Sequence, residues 1–318
     1  MPAWTYTKGL HELGNGSYAW LQPDGGWGWS NAGLVCDSGE SLLVDTLFDL
    51  KLTREMLAAM RRAAPAAARI GTLVNTHANG DHCYGNEAVA GARIIASKAS
   101  AEEMDELPAS AMASLMKNAA ALGPGAAFIA KCFAPFDFEG ISHVPPTETF
   151  ERELDLRVGA KRVQLLEVGP AHTKGDVLVW LPDDRVIFTG DILFIDGTPI
   201  LWAGPVANWI AACERIAELR PEVVVPGHGP ITDARGALRV RDYLVYVRDQ
   251  ARVRFDAGMP SAEAARDIAL GEFAKWGDAE RIAVNVHTLY REWSGGALGQ
   301  ANALELFAQM AELARRGR

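Results

Sequence analysis

Four of the seven histidines in this 318-residue chain lie in polar, glycine-containing loops that follow short apolar stretches. They are His77 and His82 in NTHANGDHCYGN, His172 in GPAHTKGD and His228 in PGHGP, and Asp191 in FTGDILF has the same setting. Short apolar stretches that end in turn residues are typical of buried strands. Because a rigid sheet fixes the ends of its strands, side chains placed there can converge on one site. The pattern therefore predicts a sheet-based fold with a polar centre at one edge.

The residue types at these strand ends suit a metal ion. Neutral imidazoles and carboxylates bind zinc or iron, and the spacing HxNxDH places three or four donors within one turn of chain. Asp81 and His82 are adjacent, so they project differently from one loop and can hold a metal from two sides. The predicted ligands are His77, Asn79, Asp81, His82, His172, Asp191 and His228.

In this combination and order, the motifs resemble those of the metallo-β-lactamase superfamily, whose first motif is H-x-H-x-D-H, followed by a lone His, a bridging Asp and a last His. SNAGLV and LLVDT also resemble the first strands of that family, and the resemblance spans roughly residues 10–233. It implies a fold of the α/β (α+β) class, a four-layer αβ/βα sandwich. Two mixed sheets would lie face to face with helices outside and the metals at one edge.

The resemblance also implies how the ligands divide between two ions. The implied sets are His77, residue 79 and His172 for the first ion, and Asp81, His82 and His228 for the second, with Asp191 bridging. Asp45 and Asp176 also occupy family-like positions, where they would either orient ligands or make turn and cap hydrogen bonds.

Asn79 departs from the family pattern because it stands where a second His is expected. An amide oxygen is neutral and a poorer zinc donor than imidazole. Asn79 could coordinate through its oxygen, stay outside the coordination shell, or hydrogen-bond the substrate or the metal-bound water. We expect one or two zinc ions in asymmetric sites, the first being the weaker. Iron or manganese would also suit this oxygen-richer set.

The chemistry that this resemblance implies is metal-assisted hydrolysis. A metal-bound water with a pKa near 7 supplies hydroxide, with Asp81 and His82 as the catalytic residues. The GxSxG motif of serine hydrolases is absent. We expect an apolar, ester-like small-molecule substrate, namely a thioester, lactone or ester. The alternatives are a polyketide cyclase with thioesterase activity, a diiron oxidoreductase, a β-lactamase and a non-catalytic binding module.

The charge balance argues against several classes of partner. The net charge is −9 without a basic run, whereas nucleic acids and anionic membranes attract clustered Lys and Arg. No run of eighteen apolar residues could span a bilayer, and the N-terminus lacks the apolar core of a signal peptide. We therefore expect a cytoplasmic protein that binds neither nucleic acid nor membrane.

The four cysteines form no CxxC pair, which predicts neither a disulfide framework nor a cysteine-rich zinc site. They are Cys36, Cys83, Cys132 and Cys213. Cys83 lies just past the first motif, at the start of an expected helix, and is interpreted as a small buried thiol.

Three tryptophans are candidate substrate-binding residues. Trp27 and Trp29 lie in the glycine-rich segment PDGGWGW, which by the resemblance would be a flap beside the metals. An ordinary hairpin with partly buried tryptophans is the equally weighted alternative. Trp202, in the loop after Asp191, is a further candidate wall.

The remaining pattern divides the chain at residue 233. Helical spacing predicts helices at 49–63 and 206–219, and Ser97 is a predicted N-cap. We expect a catalytic domain over 1–233, with a helical insertion at about 107–145, and a helical extension over 234–318. Its amphipathic segments 278–293 and 302–316 predict packing against the core or a second subunit, so a homodimer is one expectation.

Overall fold

Two mixed β-sheets form the centre of the chain, which the computed structural model describes over residues 4–299 and 302–317. The first sheet contains seven strands in chain order: β1 (Gly9–Gly14), β2 (Ser17–Leu21), β3 (Ala32–Asp37), β4 (Glu40–Val44), β5 (Thr72–Val74), β6 (Arg93–Ser97) and β7 (Glu148–Phe150). Strands β1 to β4 pair antiparallel, and β4 to β7 pair parallel.

The second sheet contains five strands, listed in chain order as β8 (Glu153–Val158), β9 (Lys161–Glu167), β10 (Val177–Leu181), β11 (Val186–Phe188) and β12 (Val223–Val225). Its neighbours pair antiparallel except β11 and β12, which pair parallel. Both sheets are therefore mixed, as the resemblance implies.

The two sheets bury one layer of side chains between them. Along β10, Val177, Val179 and Leu181 pack in this layer, whereas Leu178 and Trp180 pack in the second core beneath the helices. Because successive side chains of a strand point to opposite faces, a strand covered on both sides is apolar throughout. This burial explains the unbroken apolar run VLVWL and confirms the predicted sandwich with helices outside.

Ten α-helices lie in the described residues. They are α1 (Leu50–Ala63), α2 (Gly80–Cys83), α3 (Lys98–Met104), α4 (Ala109–Asn118), α5 (Pro124–Cys132), α6 (Val206–Glu218), α7 (Ala234–Asp256), α8 (Ser261–Asp267), α9 (Ile282–Trp293) and α10 (Ala303–Arg315). Helix α1 begins after Asp49, whose carboxylate accepts a hydrogen bond from Leu52 N at 2.7 Å. The predicted cap Ser97 likewise accepts a hydrogen bond from Ser100 N.

The insertion is helical only in its first part, because α5 ends at Cys132 and residues 133–147 form no helix. Pro135 and the Pro145–Pro146 pair each remove a helical hydrogen bond. Phe136 and Phe138 of this stretch are buried nonetheless, since they pack on Phe48 with ring centroids 5.0 and 4.8 Å apart.

Helix α10 packs on α5 of the insertion. A Cβ atom on Gly125 would lie 1.9 Å from the carbonyl oxygen of Leu304, so only glycine allows this approach. None of the helices within residues 4–299 and 302–317 is long and apolar enough to cross a membrane.

Candidate metal centre

The candidate centre lies where β5, β9, β11 and β12 end. His77 follows β5 by three residues, His172 lies between β9 and β10, and Asp191 and His228 follow β11 and β12 within three residues. Helix α2 carries Asp81 and His82. The predicted convergence of strand ends is therefore present in the structure.

Asp191 lies at the middle of the histidines. Its Oδ2 atom is 3.7 Å from His77 Nε2 and 3.4 Å from His172 Nε2. The same oxygen is 3.4 Å from His228 Nε2, and the other oxygen, Oδ1, is 3.1 Å from His82 Nε2. One carboxylate thus contacts four imidazoles, as a bridging ligand would.

Asp81 completes the second group of ligands. Its Oδ2 atom lies 3.3 Å from His228 Nε2 and 3.8 Å from His82 Nε2. Candidate ligand atoms of each group lie within 4.8 Å of one another, and the two groups are His77, His172 and Asp191, and Asp81, His82 and His228. The second group has the same members as the set implied for the second ion, whereas the first contains Asp191 with His77 and His172 and does not include Asn79.

The donor atoms fit a divalent cation. His77 Nε2, His82 Nε2 and Asp191 Oδ1 are buried and make no hydrogen bond, which is costly unless an ion occupies the space that they face. Nitrogen and oxygen ligands of a four-coordinate zinc lie about 3.3 Å from one another. The distances of 3.1 to 3.8 Å between these groups are close to that spacing.

Asp45 and Thr76 fix the orientation of two of these rings. His82 Nδ1 donates to Asp45 Oδ2 at 2.9 Å, and the Thr76 hydroxyl donates to the same oxygen at 2.7 Å. His77 Nδ1, 3.0 Å away, can then donate to the Thr76 oxygen. Because both Nδ1 atoms carry the proton, both Nε2 atoms present lone pairs to the centre. Asp45 therefore acts on the proposed ligand His82.

His172 and His228 are held by different contacts. His172 Nδ1 donates to the carbonyl oxygen of Ile200 at 2.7 Å, and its Nε2 lies 2.9 Å from Asn79 Oδ1. The ring of His228 stacks on Phe194, with centroids 5.0 Å apart and planes 2° apart. Asn79 is therefore close enough to the centre to interact with it, although its side chain is only half-buried.

The electrostatics of the centre favour metal-binding protonation states at several positions. Burial and the neighbouring His82 lower the pKa of His77 well below its ordinary value. Burial alone would raise the pKa of Asp191, but His228 and His82 hold it well below its usual range. Burial alone would lower the pKa of His82, but the negative charges of Asp191 and Asp81 have the larger effect and raise that pKa above its ordinary value. The carboxylates therefore favour a positive charge at His82, either a proton on the ring or a metal ion that displaces that proton.

Two glycines allow the strand ends to approach one another. A Cβ atom on Gly227 would lie 2.0 Å from Asp191 Oδ1, and one on Gly190 would lie 2.4 Å from Thr76 Oγ1. Gly190 also has a φ of +49°, which favours glycine. The motifs TGD and PGHG contain these residues, but the sequence does not show which neighbour each glycine would meet.

The predicted substrate-binding tryptophans contact the insertion and the C-terminal helices. Trp27 lies 5.4 Å from Phe307 of α10, and Trp202 lies 5.9 Å from the same ring, measured between centroids. Trp29 packs on Phe136 at 4.8 Å. A Cβ atom on Gly28 would lie 2.5 Å from the Phe48 ring, so this part of the glycine-rich segment is tightly packed.

Arg281 belongs to none of the predicted motifs, yet it lies beside these aromatic residues. Its guanidinium lies 4.3 Å from the Trp27 ring centroid and 5.2 Å from that of Phe194, which in turn stacks on His228. The side chain is buried and pairs with Asp278 at 2.9 Å. An arginine three residues after an aspartate resembles an ordinary surface ion pair in a helical sequence, so no local signal identifies Arg281.

The four cysteines are free thiols and Asp176 makes turn hydrogen bonds, as structural roles for these residues predict. All four cysteines are unpaired, and the Cys83 thiol is buried and donates to Ala78 O at 3.5 Å. Asp176 accepts hydrogen bonds from the main chain and hydroxyl of Thr173, as a turn residue does.

Comparisons with known proteins agree with this geometry. A family model described as the metallo-beta-lactamase superfamily matches residues 25–228. A hydroxyacylglutathione hydrolase from Brucella anthropi is 30% identical over 133 residues, which cover 39% of this chain and 50% of that protein. An acyl-coenzyme A thioesterase, MBLAC2 from Bos taurus, is 27% identical over 94 residues, 28% of this chain and 33% of that protein.

Among solved structures, an inverting sec-alkylsulfatase, Pisa1 from Pseudomonas sp., superposes with a TM-score of 0.69 at 16% identity. The superposition covers 92% of this chain and 51% of the sulfatase, and at this identity it shows the fold alone. The chain matches between about a fifth and a half of the length of the curated relatives.

Proposed function

Because the chain belongs to the metallo-β-lactamase superfamily, we propose that it is a metal-dependent hydrolase of apolar, ester-like substrates. The observation that carries this proposal is the buried Asp191 carboxylate, which lies within 3.7 Å of a nitrogen atom from each of four histidines. Two of those nitrogen atoms, Nε2 of His77 and Nε2 of His82, and Asp191 Oδ1 itself have no hydrogen-bond partner. Several unpaired polar atoms that face one another in the core are costly to bury, and a bound cation would offset that cost.

The proposed ligands are His77, His172 and Asp191 on one side, and Asp81, His82 and His228 on the other, with Asn79 as a weak additional donor. A divalent cation bound there would polarise a carbonyl group and make water reactive near neutral pH. Zinc is the proposed ion because nitrogen and carboxylate donors at these spacings suit it. The chain's contribution is to orient the donors, to keep His77 neutral and to keep Asp81 and Asp191 ionised.

Asp81 is the proposed proton acceptor at the attacking water. Its side chain is 12% exposed, against 5% for Asp191, so it is the carboxylate that substrate and water reach more easily. Oδ2 of Asp81 is engaged with His228 and His82, which leaves Oδ1 to accept a hydrogen bond from water. His82 holds its place through Asp45 and keeps Asp81 ionised.

The proposed substrate class is a thioester with an apolar acyl group. Trp27, Trp202 and Phe307 form a continuous aromatic cluster from the loop after β2 to α10, and aromatic side chains of this kind line sites for apolar ligands. One of the relatives is named an acyl-coenzyme A thioesterase, which supports the same class.

A diiron oxidoreductase is the second candidate. The amide oxygen of Asn79 close to His172 adds an oxygen donor where the family pattern has a nitrogen, and oxygen-rich sets suit iron better than zinc. Metal analysis of protein purified without added metal distinguishes the two, since iron with redox activity and no ester hydrolysis would favour the oxidoreductase.

The test of the hydrolase uses acyl-coenzyme A thioesters of increasing acyl length, with the released thiol measured before and after chelation and after zinc is restored. We expect hydrolysis that chelation abolishes and zinc recovers. His82→Ala should lose it, whereas the matched control His143→Ala, at a surface histidine paired with Asp105, should retain it. Unchanged turnover in His82→Ala would overturn the assignment.

A further inference from the structure

Four side chains from the C-terminal extension bind the main chain of one loop beside the candidate centre. Each donates to a carbonyl group of the loop formed by residues 198–203. The four pairs are Arg281 with Thr198 at 2.9 Å, Asn285 with Pro199 at 2.9 Å, Thr288 with Leu201 at 2.7 Å, and Arg291 with Ala203 at 3.0 Å. Arg281 immediately precedes α9, and the spacings of three and four residues place the other three donors on the face of α9 that continues from it.

Asn285 makes the most specific of these contacts. Its Nδ2 donates to Pro199 O, and its Oδ1 accepts from Leu201 N at 2.7 Å, so the amide binds the residues on both sides of Ile200. A second Nδ2 proton is donated to the hydroxyl oxygen of Tyr243 at 3.0 Å. Asn285 is 2% exposed, so these hydrogen bonds are shielded from solvent.

The same loop holds His172 on two sides. Ile200 O accepts the Nδ1 proton of His172 at 2.7 Å, while Trp202 N and Ala203 N both donate to the His172 carbonyl oxygen at 3.1 Å. The position of the Ile200 carbonyl therefore determines both the tautomer and the ring orientation of His172.

We infer that Asn285 is a positioning residue for His172, acting through the Ile200 carbonyl, so that the C-terminal helix α9 controls how tightly one side of the centre binds its ion. This inference rests on the proposed metal-binding function. Packing alone does not require an amide here, because Ile282, Val286 and Leu289 of the same helix are buried and apolar. A buried amide is compatible with this core because all its polar groups are paired.

Two substitutions test the inference without touching a proposed ligand. Asn285→Ala removes both bonds that flank Ile200, and Thr288→Val removes the bond to Leu201 with little change in volume. The metal-free proteins, each carrying all 318 residues, would be titrated with Zn²⁺ against a chromophoric chelator. Groups that orient a metal-binding histidine typically contribute 10–100-fold in affinity. We expect Asn285→Ala to weaken one zinc step by about that factor and leave the other within twofold, and Thr288→Val to change the same step less.

Leu289→Ala is the matched control, because it creates a cavity in the same helix without removing a hydrogen bond to the loop. It should lower the thermal midpoint yet keep both zinc affinities. Unchanged affinities in both Asn285→Ala and Thr288→Val would overturn the inference while leaving the hydrolase proposal intact. Failure of the unmodified protein to bind zinc or iron at all would overturn the proposed function, and this inference with it.

Discussion

The side-chain amide oxygen of Asn79 lies 2.9 Å from Nε2 of His172, whose other nitrogen donates to Ile200 O. A neutral imidazole that donates from Nδ1 has a lone pair on Nε2, so two acceptors face each other at this distance. The contact is satisfied when the amide turns its NH₂ group to the ring or when a cation lies against both atoms. Substitutions at Asn79 separate these two states.

Asn79→His should increase the zinc affinity of the site formed by His77 and His172, because imidazole is a better zinc donor than an amide. We expect that step of a zinc titration to tighten by on the order of tenfold or more, while the step of the other group stays within twofold. Asn79→Ala is the companion variant. If Asn79→Ala and the unmodified protein bind zinc equally, the amide is not a ligand.

Gly227→Ala should disrupt the centre without changing a ligand. The new Cβ atom would lie 2.0 Å from Asp191 Oδ1 and 2.6 Å from the main-chain carbonyl carbon of Gly190, so the carboxylate and the main chain beside it must move. A displacement of about 1 Å in a catalytic group can cost about a hundredfold in rate, and we expect that loss in kcat/KM for thioester hydrolysis. Gly197→Ala is the control, since its Cβ would meet only Phe194 at 3.9 Å. Equal rates in both variants would argue against a catalytic role for Asp191.

Metal removal should destabilise the protein, because a cation that binds only the folded state stabilises it by mass action. At a free zinc concentration of a hundred times the Kd, the free energy of unfolding rises by about 2.7 kcal/mol. Differential scanning calorimetry with chelator and with zinc measures the shift in Tm. His82→Ala should reduce this zinc-dependent shift, and a shift of full size in that variant would contradict the proposed ligand set.

Phe307→Leu should weaken the recognition of apolar acyl groups, because this ring contacts both Trp27 and Trp202. We expect KM for long acyl thioesters to rise about threefold to tenfold, which is the effect of losing the apolar contact of about one or two methylene groups. The value of kcat should change less. Phe255→Leu, which alters packing on Tyr290 and Trp293, is the control. Identical KM values across acyl lengths in Phe307→Leu would exclude this cluster from the binding site.

Much of the fold and the ligand groups follow from local sequence signals. Buried strands such as β10 are long apolar runs, and each proposed ligand lies in a short motif whose residue types already suit a metal. Strands β1 and β7 lack such signals, since β1 is nowhere fully buried and β7 has three residues. They form by pairing at the edges of the first sheet, which sequence alone does not specify.

The contacts of Arg281 and Asn285 could not be predicted for a different reason. Polar residues at a spacing of three or four in a helical segment usually mark a solvated face. Here that face is buried against the main chain of the 198–203 loop, more than 80 residues earlier in the sequence. Only the three-dimensional arrangement shows that these side chains donate hydrogen bonds to carbonyl groups of the loop that holds His172.

The hydrogen bonds from α9 to the 198–203 loop show which part of the C-terminal extension supports the metal centre. A shortened chain that stopped before Asp278 would still carry every proposed ligand, from His77 to His228. It would nevertheless leave the carbonyls of Thr198, Pro199 and Leu201 without their donors. A fragment with every proposed ligand would therefore still lack the side chains that support the loop beside His172. A shortened or transplanted catalytic domain should keep the extension through α9.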